Sequence, residues 1–126
     1  MPQKTDDYKT WAKVITALFI LSMLEEEAAY GNKINEEIKR RTDGMIIPNP
    51  NVLYPILRTM EEIGYIAGSW DNATTRNKKT YTITDHGLAS IPVLRQKVRQ
   101  HLDEAERKLQ MIRCNLIDRS QEGLKK

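Results

Sequence analysis

Apolar residues fall on every side of the stretch Val14 to Leu24 (VITALFILSML), with Asp6-Asp7 before it and Glu25-Glu26-Glu27 after it. A helix from Tyr8 to Leu24 accounts for this run, with one face against its own domain and another against something else. A second helix is expected over roughly Tyr30 to Arg41, with Ile34 and Ile38 one turn apart on its inner side and Asp43-Gly44 turning the chain after it. The connector Thr42 to Pro50 is longer than the turn of a strict helix-turn-helix.

Leu53, Ile56, Leu57, Met60 and Ile63 then repeat at the spacing of one buried helical stripe, leaving Asn51, Pro55, Arg58, Thr59 and Glu62 outside. Asn49 or Asn51 is the N-cap. A start near Asn51 reduces the cost of Pro55, which removes a backbone hydrogen bond. Gly64 stops this helix, Tyr65 to Asp71 reads as a strand, and the polar NATTRN of 72–77 leads to a second strand over Lys78 to Ile83, with Tyr81 and Ile83 on one face. Thr84 is placed to cap a last helix, and Asp85 to favour its positive end. Its stripe runs through Ile91, Leu94, Val98, Leu102, Ala105, Leu109, Ile112 and Leu116. Half of so long a stripe is wet in a monomer, and the successive spacings of four favour packing on another helix over an ideal coiled coil.

The pattern predicts a mainly α fold with a small β-hairpin (α+β): a winged helix-turn-helix with a two-stranded wing, followed by a long C-terminal dimerisation helix. The expected domains are 8–86 for the winged helix and 87–118 for the last helix, with 1–7 and 119–126 as disordered tails. The chain's 126 residues suit one compact domain with an appended helix. A net charge of +3 and a pI near 9 are only mildly basic, so any nucleic-acid surface is local. A membrane span is not expected, because Val14 to Leu24 is eleven residues and a bilayer needs roughly 20. Cys114 stands alone, which excludes an internal disulfide framework and points to the reducing cytoplasm. No catalytic set, metal-ligand spacing or phosphate-binding glycine loop is present in the sequence, so neither catalysis nor a metal or cofactor is expected.

Tyr30-Gly31 opening the second helix, Leu53-Tyr54-Pro55-Ile56-Leu57 with Met60-Glu61, Gly64-Tyr65-Ile66, Trp70, and Lys79 to Thr84 with Gly87 together resemble the PadR family of transcriptional regulators. The resemblance covers roughly residues 10 to 116. It implies a homodimeric winged helix-turn-helix repressor that binds a partly palindromic operator and is often released by a small molecule, of the compact branch with a single C-terminal helix. Asn51-Val52 replaces the Gly-Thr or Gly-Ser common in relatives, and Val98 stands where drug-sensing relatives place a stacking tryptophan.

On these grounds Arg76, Lys78, Lys79 and Tyr54 are expected to meet phosphates, and Asn51, Val52 and Arg58 to read bases, with Tyr30 and Asn49 on the same DNA-binding surface. Asn51 remains either a cap or a base reader, and Tyr54 either a core aromatic or a phosphate contact. An effector pocket is expected from Trp11, Val14, Ile15, Val98 and Leu102, suited to an apolar small molecule. The dimer interface is expected to use Trp11, Leu18, Leu94, Val98, Leu102, Ala105, Leu109, Ile112 and Leu116. The partners are thus duplex DNA carrying an inverted repeat, a second copy of the chain, and a small effector. The alternative is a winged-helix protein-interaction module whose wing cations face an acidic partner.

Overall fold

The computed structural model describes residues 3–70 and 78–118. Its elements are α1 (Gln3–Glu26), β1 (Ala29–Tyr30), α2 (Gly31–Arg41), α3 (Pro50–Ile63), β2 (Ile66–Trp70), β3 (Lys79–Ile83), α4 (Asp85–Ile112) and a closing π-helical turn, Arg113–Asp118. Arg76 and the turn 72–77, together with the tail 119–126, lie outside the described residues. The chain divides into two compact units, Met1–Leu94 and Arg95–Lys126, so the boundary falls inside α4.

The core of the first unit explains the all-round apolar character of α1. Ile20, Leu21 and Leu24 are buried, and Ala17, Leu18 and Phe19 pack partly against them. Ile34 and Ile38 of α2 and Leu53, Leu57 and Met60 of α3 complete the same cluster, as their spacing predicts. Ile63 departs from expectation at 50% exposed. It is the last residue of α3, where the stripe has rotated off the buried arc. Helix α1 begins at Gln3, earlier than the expected Tyr8; Gln3 to Asp7 carry no apolar periodicity that could have marked them.

The two-stranded β2–β3 wing belongs to a three-stranded sheet, since β1 also pairs antiparallel with the central β3. Tyr30 belongs to β1, so α2 opens at Gly31. Two residues are too few for alternation to register.

Asn49, not Asn51, caps α3. Its Oδ1 accepts from the Asn51 N–H at 2.8 Å, and Pro50 takes the first helical turn, where its missing N–H costs nothing. Pro55 therefore lies well inside the helix, and the Asn51 carbonyl loses its helical donor. Gly64 ends α3 at φ 95°, while the Gly64 and Tyr65 amides both donate to the Met60 carbonyl. Thr84 caps α4 as expected: its Oγ1 accepts from the Gly87 N–H at 3.0 Å and its hydroxyl hydrogen is directed at the end of α3. Gly87 is buried, and only glycine fits there, since a Cβ would collide with the Tyr65 carbonyl oxygen.

In the second unit, Leu102, Leu109, Ile112 and Leu116 are 46–66% exposed along α4 and the π-helical turn. The helical stripe thus ends in a different winding from Arg113 onward, not in continued α-helix. Among the described residues, no helix is long and apolar enough to cross a membrane, and no group of side chains could hold a metal ion. The first unit carries the winged helix-turn-helix arrangement, with helices α2 and α3 followed by the β2–β3 wing.

Candidate nucleic-acid interface

The N-terminus of α2, one flank of α3 and the base of the wing enclose a cleft of about 510 Å³, lined by Tyr30, Gly31, Tyr54, Arg58, Trp70 and Lys78 among others. Tyr54 reaches across to the start of α2, where Gly31 leaves room for it: a Cβ at Gly31 would sit 2.7 Å from Tyr54 Oη. Tyr30, the N-cap of α2, supplies no capping side chain. The positive end of the α2 dipole therefore lies beside Tyr54, in an arrangement suited to an anion. Lys78 Nζ stands 5.0 Å above the Tyr30 ring centroid, extending positive charge over the same edge.

Arg58 follows Tyr54 by one turn and is exposed on the cleft side of α3. Asn51 lies seven residues before it, two turns, and so shares the outermost line of the helix. Val52 does not. It sits a quarter turn round, in a largely apolar groove of about 540 Å³ lined by Val14 and Ala17 of α1, Val52, Pro55 and Ile63 of α3, and Leu94. Asn51 also lines this groove, on the side of α3 nearest the cleft. The Asn49 Oδ1 is engaged in its cap, while the residue itself remains exposed.

Lys79 differs most from its expected role. Its ammonium is 2.9 Å from Glu61 Oε1, both side chains are half-buried, and the rings of Trp70 and Tyr81 lie 5.6 and 5.5 Å from Nζ. The cation expected to meet phosphate is thus held in an ion pair with Glu61. Burial pushes the Tyr81 hydroxyl's pKa up, the Glu61 carboxylate adds to the rise, and Arg58 opposes it. Glu61 was not anticipated as part of this surface, although its position seven residues after Tyr54 places it on the same line of α3.

Of the five residues expected to form an effector pocket, Val14 lines the apolar groove. Trp11 and Ile15 are half-buried elsewhere on α1, and Val98 and Leu102 belong to the other unit. Leu18 and Leu94 pack partly against the first unit's core. Val98 and Ala105 are half-buried, whereas Leu102, Leu109, Ile112 and Leu116 expose their apolar surface.

Comparison with known proteins places this geometry. No curated protein matches the chain. Among solved structures, a PadR family transcriptional regulator from Eggerthella lenta is 27% identical with a TM-score of 0.63, over 84% of this chain and 90% of that one. A transcriptional regulator from Thermoplasma acidophilum superposes with a TM-score of 0.67 at 22% identity, over 79% of this chain and 94% of its own length. PadR of Bacillus subtilis, solved in complex with operator DNA, is similar with a TM-score of 0.54 at 24% identity, over 61% of this chain and 43% of that one. The model of the transcriptional regulator PadR-like family matches residues 20–92, which take in α2, α3, the wing and the start of α4. With more than half its length so matched, the chain belongs to the PadR-like family and is a DNA-binding transcriptional regulator, not an enzyme.

Proposed function

We propose that the protein is a homodimeric repressor that places α3 in the major groove of an inverted-repeat operator and lays its wing along the neighbouring backbone. The observation that carries this reading is the convergence of Tyr54, Arg58, Lys78 and the uncapped α2 N-terminus on one cleft beside α3. Tyr54, Tyr30 and Lys78 position the protein through phosphates, while Asn51 and Arg58, on the outermost line of α3, face base edges. Arg76 is assigned to the wing's phosphate contacts by sequence alone. Residues 8–86 act as the DNA-binding domain and 87–118 as the dimerisation helix, whose exposed Leu102, Leu109, Ile112 and Leu116 are covered by a second copy. Two-fold symmetry then sets the half-sites about one helical turn, roughly 34 Å, apart.

The apolar groove between α1 and α3 is the proposed route for an effector. Its volume of about 540 Å³ suits a small molecule, and its wall includes Val52, next to the base-facing Asn51. An apolar ligand seated there contacts the helix that holds the DNA-reading residues and so can alter operator affinity.

Selection of bound fragments from the source genome tests the DNA assignment. Recovered fragments should share an inverted repeat, and their affinity should fall steeply with salt. Recovery of no fragment above background, together with salt-sensitive capture of an acidic protein, would favour the protein-interaction reading of the same fold.

A further inference from the structure

We infer that Lys79 is a positioning residue: its ion pair with Glu61 fixes the base of the wing against the recognition helix, and Lys78 takes the phosphate-neutralising role at this edge. The alternation of β3 places Lys79 on the same face as Tyr81 and Ile83, the face packed toward the core. Lys79 therefore points inward, toward α3. Gly68 clears its path: Gly68 pairs with Tyr81, and a Cβ there would collide with the Lys79 stem and lie 2.8 Å from Glu61 Oε2. Trp70, directly opposite Lys79 in the register, covers the ammonium from the other side.

Charge explains why this pair does not open to bind DNA. Glu61 faces the cleft that meets a polyanion, and Lys79 is the partner that neutralises it at 2.9 Å. Transfer of Lys79 to a phosphate replaces one ion pair by another and leaves a bare carboxylate beside the nucleic acid, which repels it. Lys78, at the cleft rim and exposed, has no such cost.

The tie matters to function only if the cleft binds DNA as proposed above, so the test is a salt series on the selected fragments, using the full chain. Wild type should show a steep negative log-log slope; a slope near zero would overturn the DNA reading and this assignment with it. Lys78→Ala should flatten the slope by about 0.9, the value for one lost phosphate contact. Lys79→Met combined with Glu61→Gln, which removes both charges of the pair and leaves no bare carboxylate, should weaken binding to the selected fragment while leaving the slope within about 0.2 of wild type, far from the value for a lost contact. Flattening by about 0.9 in this charge-neutral double variant, equal to that in Lys78→Ala, would overturn the inference while leaving DNA binding intact. The charge-swapped double variant Glu61→Lys with Lys79→Glu supplies a second readout. It restores the pair and should bind better than Lys79→Met; weaker binding than Lys79→Met, the result expected for a carboxylate at a phosphate site, would also overturn it. If the swapped protein does not fold, the slope of the charge-neutral double variant decides.

Discussion

Replacing Gly31 by Ala should separate DNA binding from stability. The new methyl would lie 2.7, 2.8 and 3.0 Å from Tyr54 Oη, Cε1 and Cζ, so the ring tip must move by several tenths of an ångström. Tyr54 is 43% exposed, which leaves it room to swing outward. Uncovering about 50 Å² of apolar surface at roughly 25 cal/mol per Å² costs about 1.2 kcal/mol. Alanine returns up to about 1 kcal/mol over glycine as a helix residue, and less in the first turn. The two effects nearly cancel, so stability should change by no more than about 1 kcal/mol. DNA binding has no such compensation. A phenol displaced from the α2 N-terminus loses its bond to a charged phosphate, worth about 1.5 to 3 kcal/mol or roughly 10- to 150-fold in Kd per half-site. Urea denaturation followed by circular dichroism measures the first quantity and fluorescence anisotropy with the selected duplex the second. Tyr54→Phe is the control, matching the binding loss without the steric cause. Wild-type affinity in Gly31→Ala would refute the placement of Tyr54 in the interface, and a stability loss well above 2 kcal/mol would refute the view that its ring yields cheaply.

Gly87→Ala should behave oppositely: the methyl meets the Tyr65 carbonyl, which also accepts from the Thr84 N–H at 3.1 Å, so overpacking of about 1 to 3 kcal/mol outweighs the gain in helix propensity. A urea midpoint at or above wild type would show that the contact relaxes freely. Glutamate at both Leu102 and Leu109 should dissociate the proposed dimer, since each charge would lie in a desolvated contact at a cost of several kcal/mol; sedimentation of the double variant as a dimer would exclude this face from the interface. The Glu37 carboxyl, hydrogen-bonded by Arg40 at 2.8 Å and by Arg41 at 3.1 Å, is held at about 2 instead of 4.5. Because its folded pKa is depressed, its contribution is complete above about 4.5 and fades as pH falls toward 2. Carboxyl chemical shifts should show that late titration, and Glu37→Gln should reduce the loss of stability across the window; an ordinary midpoint near 4.5 would contradict the pairing.

The readable parts of the fold were those set by local pattern. The α3 stripe from Leu53 to Met60, the Gly64 stop and the Thr84 cap each depend on residues within one or two turns, and all three stand in the structure as the sequence predicts. Strand β1 was illegible because Ala29 and Tyr30 gain their strand character only from Tyr81 and Thr80, some fifty residues away. The inward turn of Lys79 was half legible. Its alternation with Tyr81 and Ile83 was visible in the sequence, but the carboxylate that receives it comes from another element. Gly31 belonged to the motif resembling PadR proteins, yet its reason, the approach of Tyr54, is a tertiary contact. Val52 stands with Asn51 in the lining of the apolar groove, a placement set by the packing of α1 against α3 that no local pattern marks. The expected effector residues came from two segments that fall in different units, and only Val14 is found in the apolar groove.

The position of β3 at the centre of the sheet has a consequence for the thermodynamics of recognition. One neighbour, β1, leads directly into α2, and the other, β2, follows directly from α3. Thr84, just past the end of β3, is bonded to the Gly64–Tyr65 corner that closes α3. Both helices of the DNA-reading motif are therefore laced to one strand, and the base of the wing is preorganised during folding. Association with DNA need not supply the conformational entropy of orienting that strand, so more of the contact free energy remains as affinity. Backbone amide exchange of Thr80 to Ile83 should accordingly be slow in the free protein and change little when duplex is added.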